Sequence, residues 1–164
     1  KTLLHLLREP AFVSDLSHED QQYLHEHVLW TTRLQGGTAQ WKGVEHDLTT
    51  LVREHRHDFV IKPANEGRGF GVIVGRAATE EQWRQACTVN LDMPSVVQAA
   101  AMPLTVPGVM LEGNDTVQRQ MYVTLGLCVI DGKYAGLVSR VSPNVVTNVA
   151  REGFGQAVFH RPHW

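Results

Sequence analysis

The residues best suited to chemistry lie in the run Val60-Ile61-Lys62-Pro63-Ala64-Asn65-Glu66-Gly67-Arg68-Gly69-Phe70-Gly71-Val72. An apolar stretch ends in a lysine, and glycines at alternate positions lead into the next apolar stretch. Such a loop suits phosphate. Glycine lets the backbone approach closely, successive N–H groups form a concavity for an anion, and an ammonium stands at its edge. No Gly-Lys-Ser/Thr closes the loop, and a strand rather than a helix is predicted after it, which excludes a Walker A loop and a Rossmann fingerprint. The same residues also fit a glycine-rich hairpin bearing surface charges. A second stretch carries Arg140 near the end of a predicted hairpin strand and Asn148 shortly after it. A guanidinium and an amide can meet there, and the planar arginine fork matches phosphate oxygens. A surface arginine and a turn asparagine fit the same spacing.

The elements that must position these groups change character at residue 58. Residues 1–57 read as helical. A short apolar helix over Thr2–Arg8 stops at Glu9-Pro10, and Ser17 begins a second, with Glu19 and Asp20 in its first turn. Leu16, Tyr23, Leu24 and Val28 are expected to pack on one face. After a loop at Gln35–Thr38, a third helix is predicted over Glu45–His57. From residue 58 the pattern is strand-rich, with runs at Phe59–Ile61, Val72–Val74 and Ser95–Gln98. A helix started by Thr79, Glu80 and Glu81 is predicted to run to about Val89. A proline-punctuated stretch to Asn114 follows. Met121–Ile130 and Tyr134–Val141 then flank Asp131-Gly132, a good hairpin signal, and Val145–Val149 and Ala157–Phe159 complete the predicted strands.

Composition narrows the class. The chain has 164 residues, enough for one hydrophobic core, and 43% hydrophobic with 20% charged residues argues against disorder. Fifteen basic against seventeen acidic residues leave no electrostatic footprint for nucleic acid or an anionic membrane. No apolar run is long enough to span a bilayer. Two cysteines, Cys87 and Cys128, build no disulfide framework, which suits a reducing, cytoplasmic setting; both are expected to be packing residues. The pairs His25/His27 and His55/His57 are spaced so that neither shares a helix face, and they read as solvated rather than metal-binding. Trp30, Trp41, Trp83 and Trp164 are expected as core or lid anchors. The abrupt start at Lys1 and the end at Trp164 read as those of a fragment of a longer protein.

With these residues in view, the chain resembles the circularly permuted ATP-grasp family, related to the glutathionylspermidine-synthetase-like ligases. Lys1 with Leu3-Leu4 resembles that family's Asn-Lys helix start, and His27–Arg33 its His-x-Pro-Trp-Thr-Arg segment. Phe59–Val72 is similar to its Val-Leu-Lys-Pro-Asn and glycine-rich loop, Ser95–Gln98 to its Val-Val-Gln-Glu hinge strand, and Gly132–Asn148 to its Arg-x-Ser and Asn-Val series. The segments follow the family's order.

The resemblance implies an α+β, ATP-grasp-like fold: N-terminal helices, then a largely antiparallel sheet with a crossover helix. A helical segment (1–57) and an ATP-grasp-like segment (58–164) would pack as parts of one larger domain. It implies ATP and Mg²⁺ as cofactors and carboxylate–amine ligation through an acyl phosphate, joining small-molecule or peptide acids and amines. Lys62 would contact the phosphates, and the loop Glu66, Gly67, Arg68, Gly69 and Gly71 would fold over them. Gln98 would lie beside the adenine, Arg140 would stabilise the transferred phosphoryl group, and Asn148 would be a Mg²⁺ ligand. The chain also departs from the pattern. Ala99, Thr124 and Val146 stand where the family carries acids, and the glycines at 153 and 155 are a diluted cluster. Mg²⁺ wants one or two carboxylates beside the phosphates. Either the rest of the parent chain supplies them, or the domain is a non-catalytic relative that binds a nucleotide or a protein.

Overall fold

The computed structural model describes residues 1–88 and 93–158. It is a mixed α+β chain whose strand pairs are antiparallel. It forms two compact units, Lys1–Ala101 and Met102–Trp164.

The first unit opens with three short helices: α1 (Thr2–Leu6), α2 (Pro10–Val13) and α3 (His18–His27). Pro10 stands at the first position of α2, where its missing N–H costs nothing. Ser17 caps α3, its hydroxyl accepting from Asp20 N–H at 3.1 Å. Tyr23, expected to pack inward, is instead exposed and lies against the His27 ring at 4.4 Å.

Residues 31–47 correct the helical reading of the first 57. They form β1 (Thr31–Arg33) and a hairpin of β2 (Thr38–Trp41) and β3 (Val44–Asp47). The hairpin turns through Lys42 and Gly43, both at positive φ, the two-residue geometry whose twist matches the strands. The third helix, α4 (Leu48–Glu54), therefore starts three residues later than predicted, capped by Asp47, which accepts from Thr50 N–H at 2.8 Å. After a 3-10 turn at Arg56–Asp58 come β4 (Phe59–Pro63), β5 (Ile73–Val74), α5 (Glu80–Ala86) and β6 (Ser95–Ala99). Thr79 and Gln82 make a reciprocal capping box at the start of α5. The helix ends at Ala86 with Cys87 as its C-cap, and Val89, the predicted end, lies outside the described residues.

Sheet order is β1-β6-β4-β5. Strand alternation decides which side chains do what. Phe59, Ile61 and Val97 point to one face and join Leu34, Leu48, Leu51, Val52, Trp83 and Cys87 in the core. Trp83 Nε1–H donates to the Val52 carbonyl at 3.0 Å, fastening α5 to α4. Trp30, Trp41 and Phe59 stack at the core's edge, and the Trp30 indole donates to Gln40 of the hairpin at 2.8 Å. Trp164 lies outside the described residues. Thr31, Lys62, Val96 and Gln98 occupy the sheet's opposite face.

The second unit is a sheet of order β10-β9-β8-β7, built from β7 (Leu104–Glu112), β8 (Asp115–Ile130), β9 (Lys133–Ser142) and β10 (Phe154–Gln156). The hairpin predicted at Asp131-Gly132 is present, with both residues at positive φ. The proline-punctuated stretch is strand, because Pro107 lies on the edge strand β7, where a ladder donor can be missing. The strand predicted at Val145–Val149 is absent. Ser142 accepts from Asn144 N–H at 3.0 Å, and Asn148 caps a 3-10 turn at Val149–Arg151, so local side-chain bonds replace a ladder. The last strand falls at Phe154–Gln156 rather than at Ala157 and Val158; Phe159 lies outside the described residues.

Candidate functional site

Lys62 leaves the sheet at the mouth of the β4–β5 loop. Register pairs it with Val96, and Gln98 pairs with Val60 on one side and Thr31 on the other. Lys62 and Gln98 are thus diagonal neighbours on one face. The half-buried Lys62 ammonium donates to Gln98 Oε1 at 2.5 Å. Gln98 is 6% exposed, and its Nε2 donates to Thr31 Oγ1 at 2.8 Å.

Across the loop mouth, Lys1 Nζ donates to the Pro63 carbonyl at 2.8 Å and to the Glu66 carbonyl. The Lys1 ammonium therefore serves the loop's carbonyls, while the Lys62 ammonium is held by Gln98. Burial, and then the charge of Lys1, hold Lys62 below the ordinary lysine range. An anion placed here would oppose both effects.

The loop is built for close approach. Ala64 N–H binds the Pro94 carbonyl at 2.8 Å, and Phe70 N–H closes a turn onto Gly67 at 2.9 Å. Arg68 and Gly69 are consecutive left-handed residues, at φ +53° and +79°. Gly71 is at φ +65°, where a Cβ would lie 2.5 Å from the Pro63 ring. Only glycine satisfies both the dihedral and the space. The backbone from Glu66 to Gly71 is thus a tight turn with left-handed residues, and its Glu66 carbonyl is bound by Lys1.

The other predicted residues belong to the second unit. Arg140 is exposed on β9, opposite Thr124 of β8 and Gly155 of β10. Thr124 and Thr147 share a hydroxyl–hydroxyl hydrogen bond of 2.6 Å. Asn148 Oδ1 accepts from Ala150 N–H at 3.0 Å. Glu152, the carboxylate nearest in sequence, accepts from the Asn144 side chain at 3.1 Å.

This donor set does not fit Mg²⁺ held by the chain alone. The Asn148 amide oxygen caps a turn, the two threonine hydroxyls serve each other, and among the described residues no group of three His, Cys, Asp or Glu could hold a metal. The paired histidines expected to be solvated have ordinary neighbours: His55 lies 4.0 Å from Asp58, and His57 Nε2 accepts from Arg56 at 3.2 Å. No helix among the described residues is long and apolar enough to cross a membrane.

Comparison of the sequence with protein-family models and with curated proteins finds no match. The site must stand on its geometry.

That geometry joins Lys62, Gln98 and the loop Glu66–Gly71, and it adds two residues that sequence reasoning did not place there. Lys1 was noticed only as a helix start. Thr31 sits in a Thr-Thr-Arg run whose strand character was missed; the Lys42-Gly43 pair between Trp41 and Val44 was the one local hint that this region is extended.

Proposed function

We propose that the chain is the nucleotide-holding part of an ATP-grasp-like protein that joins a carboxylate to an amine at the expense of ATP. The observation that carries this reading is the half-buried Lys62 ammonium, near Lys1 and at the strand end from which a left-handed, glycine-bearing turn departs. Phosphoryl transfer is largely a matter of positioning and of cations on the transferring group. Lys62 would exchange part of its contact with Gln98 for a phosphate oxygen, and the turn would cover that oxygen with backbone N–H groups. Gln98, at the end of β6, would approach the base. As the resemblance implies, Arg140 would steady the phosphoryl group while a substrate carboxylate oxygen bonds to its phosphorus, the bridging O–P bond to the β-phosphate breaks and ADP leaves. The amine then attacks the acyl carbon, the C–N bond forms, phosphate leaves with the C–O bond's electrons, and the amine's proton is released. The carboxylates that Mg²⁺ needs beside ATP would come from the rest of the parent chain.

A second reading, a domain that binds a nucleotide or a protein partner without turnover, is favoured by the Asn148 amide held in its cap and by the Thr124–Thr147 pair. One titration separates the two. The parent protein is titrated with ATP by calorimetry, with and without Mg²⁺, and assayed for phosphate release over panels of acids and amines. Mg²⁺-dependent binding, lost in Lys62→Ala and accompanied by amine-dependent phosphate release, supports the ligase. Binding indifferent to Mg²⁺ and without release supports the second reading. No binding at millimolar ATP overturns both nucleotide readings.

A further inference from the structure

The orientation of the Gln98 amide is dictated by Thr31. Thr31 Oγ1 lies 2.9 Å from the Leu29 carbonyl oxygen, which can only accept, so the single hydroxyl proton points there. The Thr31 oxygen is left as an acceptor, and Gln98 Nε2, at 2.8 Å, must donate to it. The amide's other end, Oε1, is thereby turned to Lys62. A flipped amide would face its oxygen to an oxygen without a free proton and its NH₂ to an ammonium. Both Thr31 and Gln98 are buried, at 2% and 6% exposure, so water does not readily replace either bond.

We propose that Thr31 is a positioning residue that acts through Gln98 to hold the Lys62 ammonium at the mouth of the β4–β5 loop. The proposal rests on the reading of Lys62 as the phosphate-binding cation. The chain Leu29 C=O, Thr31 hydroxyl, Gln98 amide, Lys62 ammonium runs in one donor–acceptor sense, and it ties the lysine to the backbone just before β1. The register pairing Thr31 directly with Gln98 makes this geometry a property of the sheet. The other charged groups that face Lys62 are Lys1 at the loop mouth and Arg33 in the same cross-strand row; Glu66 and Arg68 follow in the loop.

The test is an NMR pH titration of the Lys62 side chain in the full chain without ligand, for wild type, Thr31→Val and Thr31→Ser, followed by ATP titrations of the same proteins. Thr31→Val frees the amide to turn, so Lys62 loses an oriented acceptor for its charged form. Its titration should move down by roughly half a unit or more, and ATP binding should weaken about fivefold. Thr31→Ser keeps the hydroxyl and should restore both, which a mere packing role would not produce.

An unmoved Lys62 titration in a folded Thr31→Val protein overturns the relay. A moved titration with unchanged ATP affinity overturns the positioning role. Should Thr31→Val not fold, Gln98→Glu places a carboxylate at the same spot, and the Lys62 titration should rise instead; no rise overturns the geometry. Lys62→Ala without effect on ATP binding sinks the phosphate reading itself, and the ligand-free titration tells that failure apart from failure of the relay.

Discussion

Lys62 and Gln98 meet across two antiparallel strands: the ammonium donates to Gln98 Oε1 at 2.5 Å, although the two residues are 36 apart in the chain. Alternation puts them on the face of the sheet away from Phe59, Ile61 and Val97, so the strands that make the core also present the cation. The half-buried cation so placed, with Lys1 nearby, also gives the site its pH dependence.

Lys62 ionises below the ordinary lysine range because burial and Lys1 disfavour its charge. An anion reverses that, so binding takes up proton. Affinity for ATP should be full below the lowered value and fall as pH rises through it. Calorimetry across the alkaline range should show this slope in wild type and none in Lys62→Ala, whose affinity should be roughly tenfold lower at neutral pH. For stability the sign is opposite: the folded chain sheds this proton before the unfolded chain does, so the penalty is present at lower pH and lifts as pH rises towards the unfolded value.

Arg140→Ala, measured in the parent protein, should reduce kcat more than it weakens ATP binding, since a cation on the transferring group acts mainly in the transition state. Steady-state kinetics beside an ATP titration would show it. Equal losses in both, or a loss of folding alone, would remove Arg140 from the reaction.

Asn148 separates the ligase from the non-turnover reading. Its amide oxygen caps the turn at Val149–Arg151, so Asn148→Ala should cost about 1 kcal/mol of stability in a denaturant melt, and Asn148→Ser should recover most of it. A cap alone leaves the Mg²⁺ dependence of ATP binding unchanged. A Mg²⁺ dependence lost in Asn148→Ser, with stability kept, would instead return the residue to the metal.

Gly71→Ala places a Cβ at φ +65° and against the Pro63 ring. The left-handed backbone alone costs roughly 1–2 kcal/mol, and the overlap adds to it. A lowered denaturation midpoint together with weaker ATP binding is expected. Gly67→Ala, at a position with open space and no positive φ, should do much less.

Cys87 is 5% exposed, and burial pushes its thiol up to about 11. Iodoacetamide followed by peptide mass spectrometry at pH 8 should modify the less buried Cys128 first and leave Cys87 largely intact. The unfolded chain ionises this thiol near 9, before the folded one, so stability should decline as pH climbs from there through about 11.

Much of the fold was legible because its signals are local. Ser17 and Thr79 are caps whose partners lie three residues away, Asp131-Gly132 is a two-residue turn, and Lys62-Pro63 followed by alternating glycines reads as a strand end and loop. The strands that sequence reading misses share one cause. β1, the β2–β3 hairpin and β7 are short or proline-bearing, and each becomes a strand only by pairing: β1 depends on β6, more than sixty residues later, and Pro107 is tolerated because β7 has an edge. Val145–Val149 erred the other way, since its β-branched residues suggest strand while Ser142, Asn144 and Asn148 hold the backbone in turns.

By itself, then, the sequence determined the α+β class and the loop beside Lys62. These follow from residue types within a few positions of one another. Only the tertiary structure decided which groups stand around that lysine. Lys1, Thr31 and Gln98 reach Lys62 through sheet register and through the fold that brings the chain's start to the Pro63 and Glu66 carbonyls, and a partnership made over such separations leaves no periodic trace in the chain.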